Sequence, residues 1–468
     1  MEAWGLVQKE KAVRNDEDKL MDHLYSMAAS RSLVDSSLYT LYNVKRGLRD
    51  LSGKGVLAGL TNIGDVQGQT VLEDSTVPGP GKLIYRGIDI EEIVKGFLGK
   101  GRSGFEETCY LLLFGELPDK EELDWFQKLL SSYRTLSHDF IHNSILTLSS
   151  RDIMNAMAQT VLALYVMDEK ADDTDIPNVL RQSLLLIAVF PLIAAYCYRA
   201  HAYRYGNSSL IIHGPRLDLS TAANLLHMLR DDSAYTPLEE QLLDLALVLH
   251  AEHGGGNNSS FTTHVVTSSG TDTYSAITAA LGALKGPRHG GANIKVLQMF
   301  EDMKQQVSDW KDDSQIEDYL FKLLNKEAFD RSGLIYGIGH AVYSVSDPRS
   351  LILRKYVKDL AREKGMMEEF RLYEKVEKLA PEVISHTRKM YKGVSANVDF
   401  YSGFLYRLLE IPQELYTPIF AISRIVGWCA HRIEELANSG KIIRPAYQSV
   451  SSRRHYIPLE KRKTNIKE

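Results

Sequence analysis

Apolar residues recur at spacings of three and four along most of the chain, the period of a helix that buries one face. The stretches FEETCYLLLFGEL (105–117), LEEQLLDLALVLHAEH (238–253), NIKVLQMFEDMKQQV (293–307), IEDYLFKLLNKE (316–327) and PRSLILRKYVKDLAREKG (348–365) all follow it. VDFYSGFLYRLLEI (398–411) and LYTPIFAISRIVGWCAHRIEELANSG (415–440) predict two more helices, the second closed by Gly440 as its C-cap. Strand-like alternation is confined to GVLAGLTNIGDVQGQTV (55–71) and KLIYRG (82–87), with VPGPGK (77–82) reading as a turn-rich patch beside them. The pattern therefore predicts a mainly α fold with minor β structure near the N-terminal third.

Two stretches stand out from this pattern. SLLLIAVFPLIAAYCY (183–198) is apolar throughout, but it is short for a membrane span, contains Pro191 and lies between Arg181 and Arg199. It reads as a buried helix or a subunit contact, and no membrane association is expected. The run from about 300 to 392 is rich in Lys, Glu and Asp, with glycines at 286–291 and 393 on either side. That predicts a smaller, more exposed helical subdomain able to move as a unit.

Composition narrows the class. A chain of 468 residues, 44% hydrophobic, has ample material for a large core. Its 55 Lys+Arg against 60 Asp+Glu give a formal charge of −5, with no long basic run before the last residues, so nucleic acid is not an expected partner. Cys109, Cys197 and Cys429 are far apart and sit in apolar settings, as buried thiols of a reducing compartment do. The amino end lacks the apolar core of a signal peptide, and the expectation is a cytoplasmic protein.

Several chemistries are excluded by motif. The chain has no G-x-x-x-x-G-K-[ST], no G-x-G-x-x-G after a strand and no G-x-S-x-G. HAEH (250–253) lacks both the i, i+4 histidine spacing of a zinc helix and the C-x-x-C of a deaminase, so no metal is expected. What remains is a set of titratable residues embedded in small ones: His253 in HGGGNNSS, His289 in GPRHGGAN, His340 in GIGHAVY and Asp399 in ANVDFYSG. Neighbouring glycines let a ligand approach side chain and backbone together. Each has a structural alternative, Asp399 as the N-cap of the helix that follows being the plainest.

Taken in order, VKRGLRDLSGKGVLAGLT, KLIYRGIDIEEI, FEETCYLLLFGELP, HAEHGGGNNSSFTTH, ALKGPRHGGAN, GIGHAVYSVSDPR, ANVDFYSG, SRIVGWCAH and IIRPAY resemble the citrate synthase family from about residue 44 to the C-terminal region. The resemblance implies a two-domain helical fold, with a helical extension (1–43), a large helical domain (44–290 and 393–468) and a small mobile helical domain (291–392). It implies condensation of acetyl-CoA with oxaloacetate and water to citrate and CoA, with no cofactor beyond the acyl-CoA substrate. Asp399 matches the family's base, His289 the donor to the thioester oxygen, and His340 the donor to the oxaloacetate ketone. His253, Arg349, Arg424 and Arg444 match residues that hold oxaloacetate, Arg444 reaching the partner's site in a homodimer. The start of the helix at Ala292 suggests that a helix dipole keeps His289 neutral.

The chain departs from the family in one loop. The cation expected near the CoA phosphates is missing, with Ala341 and Ser344 in its two usual places. Propionyl-CoA as substrate, giving 2-methylcitrate, is the nearest alternative, since one methylene is worth only ~1–3 kcal/mol in an apolar pocket. A non-catalytic scaffold of the same fold is the alternative from a different class.

Overall fold

The computed structural model describes residues 18–50, 55–72, 75–387, 393–438 and 440–462. It divides into two compact units, Met1–Leu57 with Arg444–Glu468, and Ala58–Ile443. In the first, residues 18–32 are helical, and a short helix, Ser36–Leu41, is capped by the Asp35 carboxylate. Within the 1–43 stretch, 33–35 and 42–43 are non-helical, and residues 1–17 lie outside the described residues.

The larger unit is mainly helical and holds the whole 291–387 region, while 388–392, the end of the expected small domain, lies outside the described residues. Its centre is a pair of long helices, Ile176–Tyr205 and Tyr416–Ala437, packed against each other. Leu186, Val189, Phe190 and Ile193 of the first are fully covered, as are Ile419, Ile425, Val426 and Trp428 of the second. Burying each such side chain stabilises the fold by about 1.5–3 kcal/mol. The Ile176–Tyr205 helix is long and apolar enough to cross a membrane, yet most of that stretch is covered inside this chain. Of the two readings of 183–198, buried helix is the one the packing supports.

Local signals set the helix ends. Thr236 and Glu239 form a reciprocal capping box around Pro237 at the start of Pro237–His250. Asp347 caps Pro348–Glu363 in the same way that Asn397 caps Val398–Leu408. At the far end of Tyr416–Ala437 the C-cap is Asn438, not Gly440, its N–H bonding the carbonyls of Glu434 and Leu436. The helix runs out two residues before the glycine that the sequence offered as its stop.

The sheet corrects a second expectation. Strands β1 (Gly64–Leu72), β2 (Ser75–Tyr85) and β3 (Ile88–Asp89) pair antiparallel in that order. VPGPGK is therefore inside a strand. The ladder tolerates its prolines through a bulge: Gln67 faces Lys82 and Gln69 faces Pro78, so Gly79–Gly81 are absorbed where the register shifts. The bulge also has a use. Gly81 donates its N–H to Ser346 O, and a Cβ there would come within 2.2 Å of that oxygen and 2.5 Å of a Tyr343 ring carbon. The sheet is thus pressed against the loop that follows His340.

Gly81→Ala is expected to lower stability by about 1–3 kcal/mol in a denaturant titration, the usual effect of overpacking. It would also displace the 340–346 loop. Unchanged stability would mean that the loop is not fixed by the sheet.

Candidate active site

Arg424 is fully buried on the Tyr416–Ala437 helix. Its Nε donates to His250 O at 2.6 Å, while Nη1 and Nη2 are enclosed without a hydrogen-bond partner among the described residues. Burial lowers its pKa to about 10, partly offset by the carboxylate of Glu252, so the guanidinium stays charged at neutral pH. Two more orphaned atoms belong to the same electrostatic neighbourhood, His253 Nε2 and Asp399 Oδ1. An unpartnered buried polar atom costs about 1–3 kcal/mol, and more if charged, so such a group of atoms marks a place built for a polar ligand.

Asp347 organises one side of this group. Its Oδ1 accepts from Arg349 N–H and Nε–H at 3.0 Å, and its Oδ2 accepts from Arg349 Nη2 at 2.7 Å and from Val398 N–H at 3.2 Å. One carboxylate therefore caps a helix, holds Arg349 and ties it to the turn that carries Asp399. Burial depresses Arg349's pKa, but Asp347 outweighs it and the net shift is upward. The guanidinium fork expected for a substrate carboxylate already engages Asp347, which leaves Nη1 for a ligand.

The 337–340 turn is laced to the 395–399 turn. Gly339 N–H bonds Ser395 O, Asn397 N–H bonds Gly337 O at 2.8 Å, and the Asn397 amide donates to Gly339 O. Asn397 also caps the next helix by accepting from Asp399 N–H, so Asp399 is not the N-cap and its carboxylate is not spent on capping. Burial lifts Asp399 to about 6, with Asp347 adding to the rise and Arg349 and Arg424 opposing it. His340 Nδ1 accepts from the N–H groups of Val342 and Tyr343 at 3.1 Å each, which puts its ring proton on Nε2. Its ring stacks on Tyr343 at 4.7 Å and meets His253 edge-on at 5.2 Å.

His289 follows the Pro287–Arg288 turn, its N–H bonding Gly286 O. Ser259 Oγ accepts the Trp428 indole N–H at 3.0 Å while its hydroxyl donates to Asn257 Oδ1 at 2.9 Å, and His289 Nε2 lies 3.3 Å from the same oxygen. Burial, followed by the Arg424 charge, lowers His289 to about 4. The imidazole is neutral near pH 7, and the helix that starts at Ala292 lies three residues beyond it. A cavity of about 500 Å³ lined by Asn257, Asn258, Gly286, Pro287 and Arg288 opens beside it.

His253, His289, His340, Arg349, Asp399 and Arg424 are thus brought into one site. Burial, then the charges of Arg349 and Arg424, hold His253 well below the usual imidazole range. Arg444 is exposed and belongs to the other compact unit. Sequence reasoning missed Asp347, Tyr343, Ser259 and Asn397, although the first two lie inside the GIGHAVYSVSDPR block. His250 of HAEH is a core residue, its Nδ1–H donating to Ala246 O, and burial lowers it to about 3. Cys109, Cys197 and Cys429 are free and buried.

Arginines, neutral imidazoles and a raised carboxylate on a helical frame define an anion-binding, acid–base site. Residues 50–446 match the model of the citrate synthase C-terminal domain. The chain is 36% identical to citrate synthase of Deinococcus radiodurans over 387 residues, covering 82% of this chain and 93% of that one. It is 32% identical to 2-methylcitrate synthase of Shewanella oneidensis, over 85% and 96% of the two chains. The fold matches the ternary complex of carboxymethyl coenzyme A and oxaloacetate with citrate synthase of Thermoplasma acidophilum, with TM-score 0.71 and 25% identity over 89% and 99%. The chain belongs to the citrate synthase family.

A base with a pKa of about 6 is ionised above that pH and protonated below it. The acid limb of kcat/KM for the substrate that donates a proton is therefore expected at pH 6 or above, and His289 adds no limb above about 4. An acid limb at the ordinary carboxylate value would show that Asp399 is not the base.

Proposed function

We propose that this protein condenses acetyl-CoA with oxaloacetate and hydrolyses the resulting thioester, yielding citrate and CoA. The observation that carries this reading is the group of orphaned buried donors and one orphaned carboxylate oxygen, on Arg424, His253 and Asp399. Two cationic side chains suit the two carboxylates of oxaloacetate, Arg424 through Nη1 and Nη2 and Arg349 through Nη1. His253 supplies a further hydrogen bond. His340, its proton on Nε2, donates to the ketone oxygen and stabilises the alkoxide that forms there.

Asp399 removes a proton from the acyl methyl group while the His289 imidazole donates a hydrogen bond to the thioester oxygen, so that an enol forms between a base and a neutral donor. The enol carbon then attacks the ketone carbon. The cavity beside His289 is where the thioester arrives, and Arg288, exposed on its lining, offers a cation for the CoA phosphates that Ala341 and Ser344 do not. The 291–392 segment closes over the bound substrates, and the protein works in the cytoplasm as a homodimer with Arg444 completing the partner's oxaloacetate site.

His289→Ala and Asp399→Ala are each expected to lower turnover by roughly 10²–10⁴, the worth of a positioned acid or base, while oxaloacetate affinity by calorimetry is retained. Lost oxaloacetate binding in either variant would reject the assignment. The same CoA-release assay with acetyl-CoA and propionyl-CoA decides the acyl group: a higher kcat/KM for acetyl-CoA is expected, and the reverse would make the enzyme a 2-methylcitrate synthase.

Composite sites give a sharper test of the dimer. Asp399→Ala and Arg444→Leu chains, each inactive alone, should recover about a quarter of the wild-type activity once refolded together, because half the dimers are mixed and each has one intact site. No recovery in demonstrated heterodimers would place Arg444 outside the partner's site.

A further inference from the structure

Next to Arg424 runs a chain of four side chains that the condensation does not use. Glu435 Oε2 lies 2.8 Å from His264 Nδ1, His264 Nε2 lies 3.1 Å from His431 Nδ1, and His431 Nε2 lies 3.0 Å from Glu252 Oε1. His431 and Glu252 are completely buried. The glycine one turn from Arg424 makes room for this: a Cβ on Gly427 would lie 2.4 Å from Glu252 Oε2 and 3.5 Å from Arg424 Cδ. Glu252 thus packs on the helix alongside the arginine stem, and its charge is the foremost influence holding the Arg424 pKa up against burial.

The bonding pattern fixes the protons. A carboxylate accepts, so the two outer ring nitrogens, His264 Nδ1 and His431 Nε2, must each carry hydrogen. The two inner nitrogens then face each other at 3.1 Å, and two lone pairs at that distance repel unless one cation lies between them. A proton on His431 Nδ1 suffices, completing three bonds of ordinary length and pairing an imidazolium with Glu252.

The electrostatics agree. Burial works against a charged His431, but Glu252 and then Glu434 outweigh it and raise the pKa to about 9, while burial and the His431 charge hold His264 down. The groups facing the pair are Glu252 from outside the helix and Glu434 and Glu435 from its own, with Tyr85, Arg86 and Arg424 facing Glu252 in turn. Glu252 is held below the usual carboxylate range, since His431 overcomes the upward push of burial.

We infer that His264 and His431 share a single proton that fixes Glu252 as an anion beside Arg424, making Glu252–His431–His264–Glu435 the positioning device for the arginine that takes a substrate carboxylate. The role of Arg424 rests on the function proposed above, whereas the shared proton does not. Because His431 loses its proton as pH rises through about 9, the hold on Glu252 fades there and oxaloacetate binding weakens with it. The same sign governs stability: the histidine's contribution is full below its unfolded pKa of about 6.5 and declines as pH rises through about 9.

The first measurement is the side-chain 15N–1H spectrum of the full chain labelled at histidine, with His264→Gln and His431→Gln spectra for assignment. At pH 8, both ring nitrogens of His431 are expected to carry hydrogen and His264 only Nδ1. The second is kinetic. His264→Leu removes the acceptor and should raise KM for oxaloacetate about tenfold, the equivalent of 1.4 kcal/mol, with kcat little changed. His264→Gln, able to accept from His431 and donate to Glu435, should restore the wild-type KM and its rise above pH 9.

A neutral His431 at pH 8 overturns the inference. So does an identical KM in the two His264 variants. A third overturning result is a stoichiometric divalent ion in the purified protein that His264→Gln loses, because His264, His431 and Glu434 lie close enough together to hold one. If wild-type protein releases no CoA, the proposed function fails, and the ring protonation still decides the shared proton.

Discussion

The site depends on a guanidinium held inside a helical core. Arg424 sits on the helix whose neighbours Ile425, Val426 and Trp428 are part of the hydrophobic centre, so it cannot swing out to water. A buried charge of this kind is tolerated only where opposite charge and hydrogen bonds compensate it. Compensation is deliberately incomplete here. Glu252 offsets the charge from alongside, His250 O takes Nε–H, and Nη1 and Nη2 are left for a ligand. The folding energy needed to keep two donors unmet comes from the apolar packing around the helix that carries Arg424.

A second constraint is that the groups come from distant parts of the chain. Helices set the coarse positions, but local hydrogen bonds set the orientation. Asp347 binds Arg349 and Val398 N–H with one carboxylate, and the 337–340 and 395–399 turns exchange backbone bonds, so His340 and Asp399 cannot shift independently. The bulged β2 strand presses on the same loop through Gly81. Such over-determination is what a base and a donor require if they are to meet opposite faces of one small molecule.

Much of this was legible in the sequence, and the reasons for the exceptions are physical. The 3.6 period located the helices because each buries one stripe, and small residues around His253, His289, His340 and Asp399 pointed to the site because close approach needs them. VPGPGK misled because turn chemistry is local, whereas a bulge is decided by the partner strand. Gly440 misled because the helix ended on Asn438, two residues earlier. The His264–His431–Glu252 chain was illegible for a different reason: His431 is more than 160 residues from each of the other two, and no local pattern signals that they meet.

The charges also give an order to the proposed reaction. Before oxaloacetate binds, Arg349 and Arg424 both pull on Asp399, and burial still leaves it at about 6. A dianion held by those two arginines cancels their pull and adds negative charge of its own, and each change raises the carboxylate's proton affinity further. The base is therefore stronger once the electrophile is in place than before. Arg424 is also the charge that depresses His289, and its neutralisation moves that imidazole upward from about 4, with a wide margin before it would become charged near pH 7. One binding event thus sharpens the base without spoiling the neutral donor. A thioester entering an empty site would meet a weaker base and no electrophile, so the electrostatics by themselves favour oxaloacetate first.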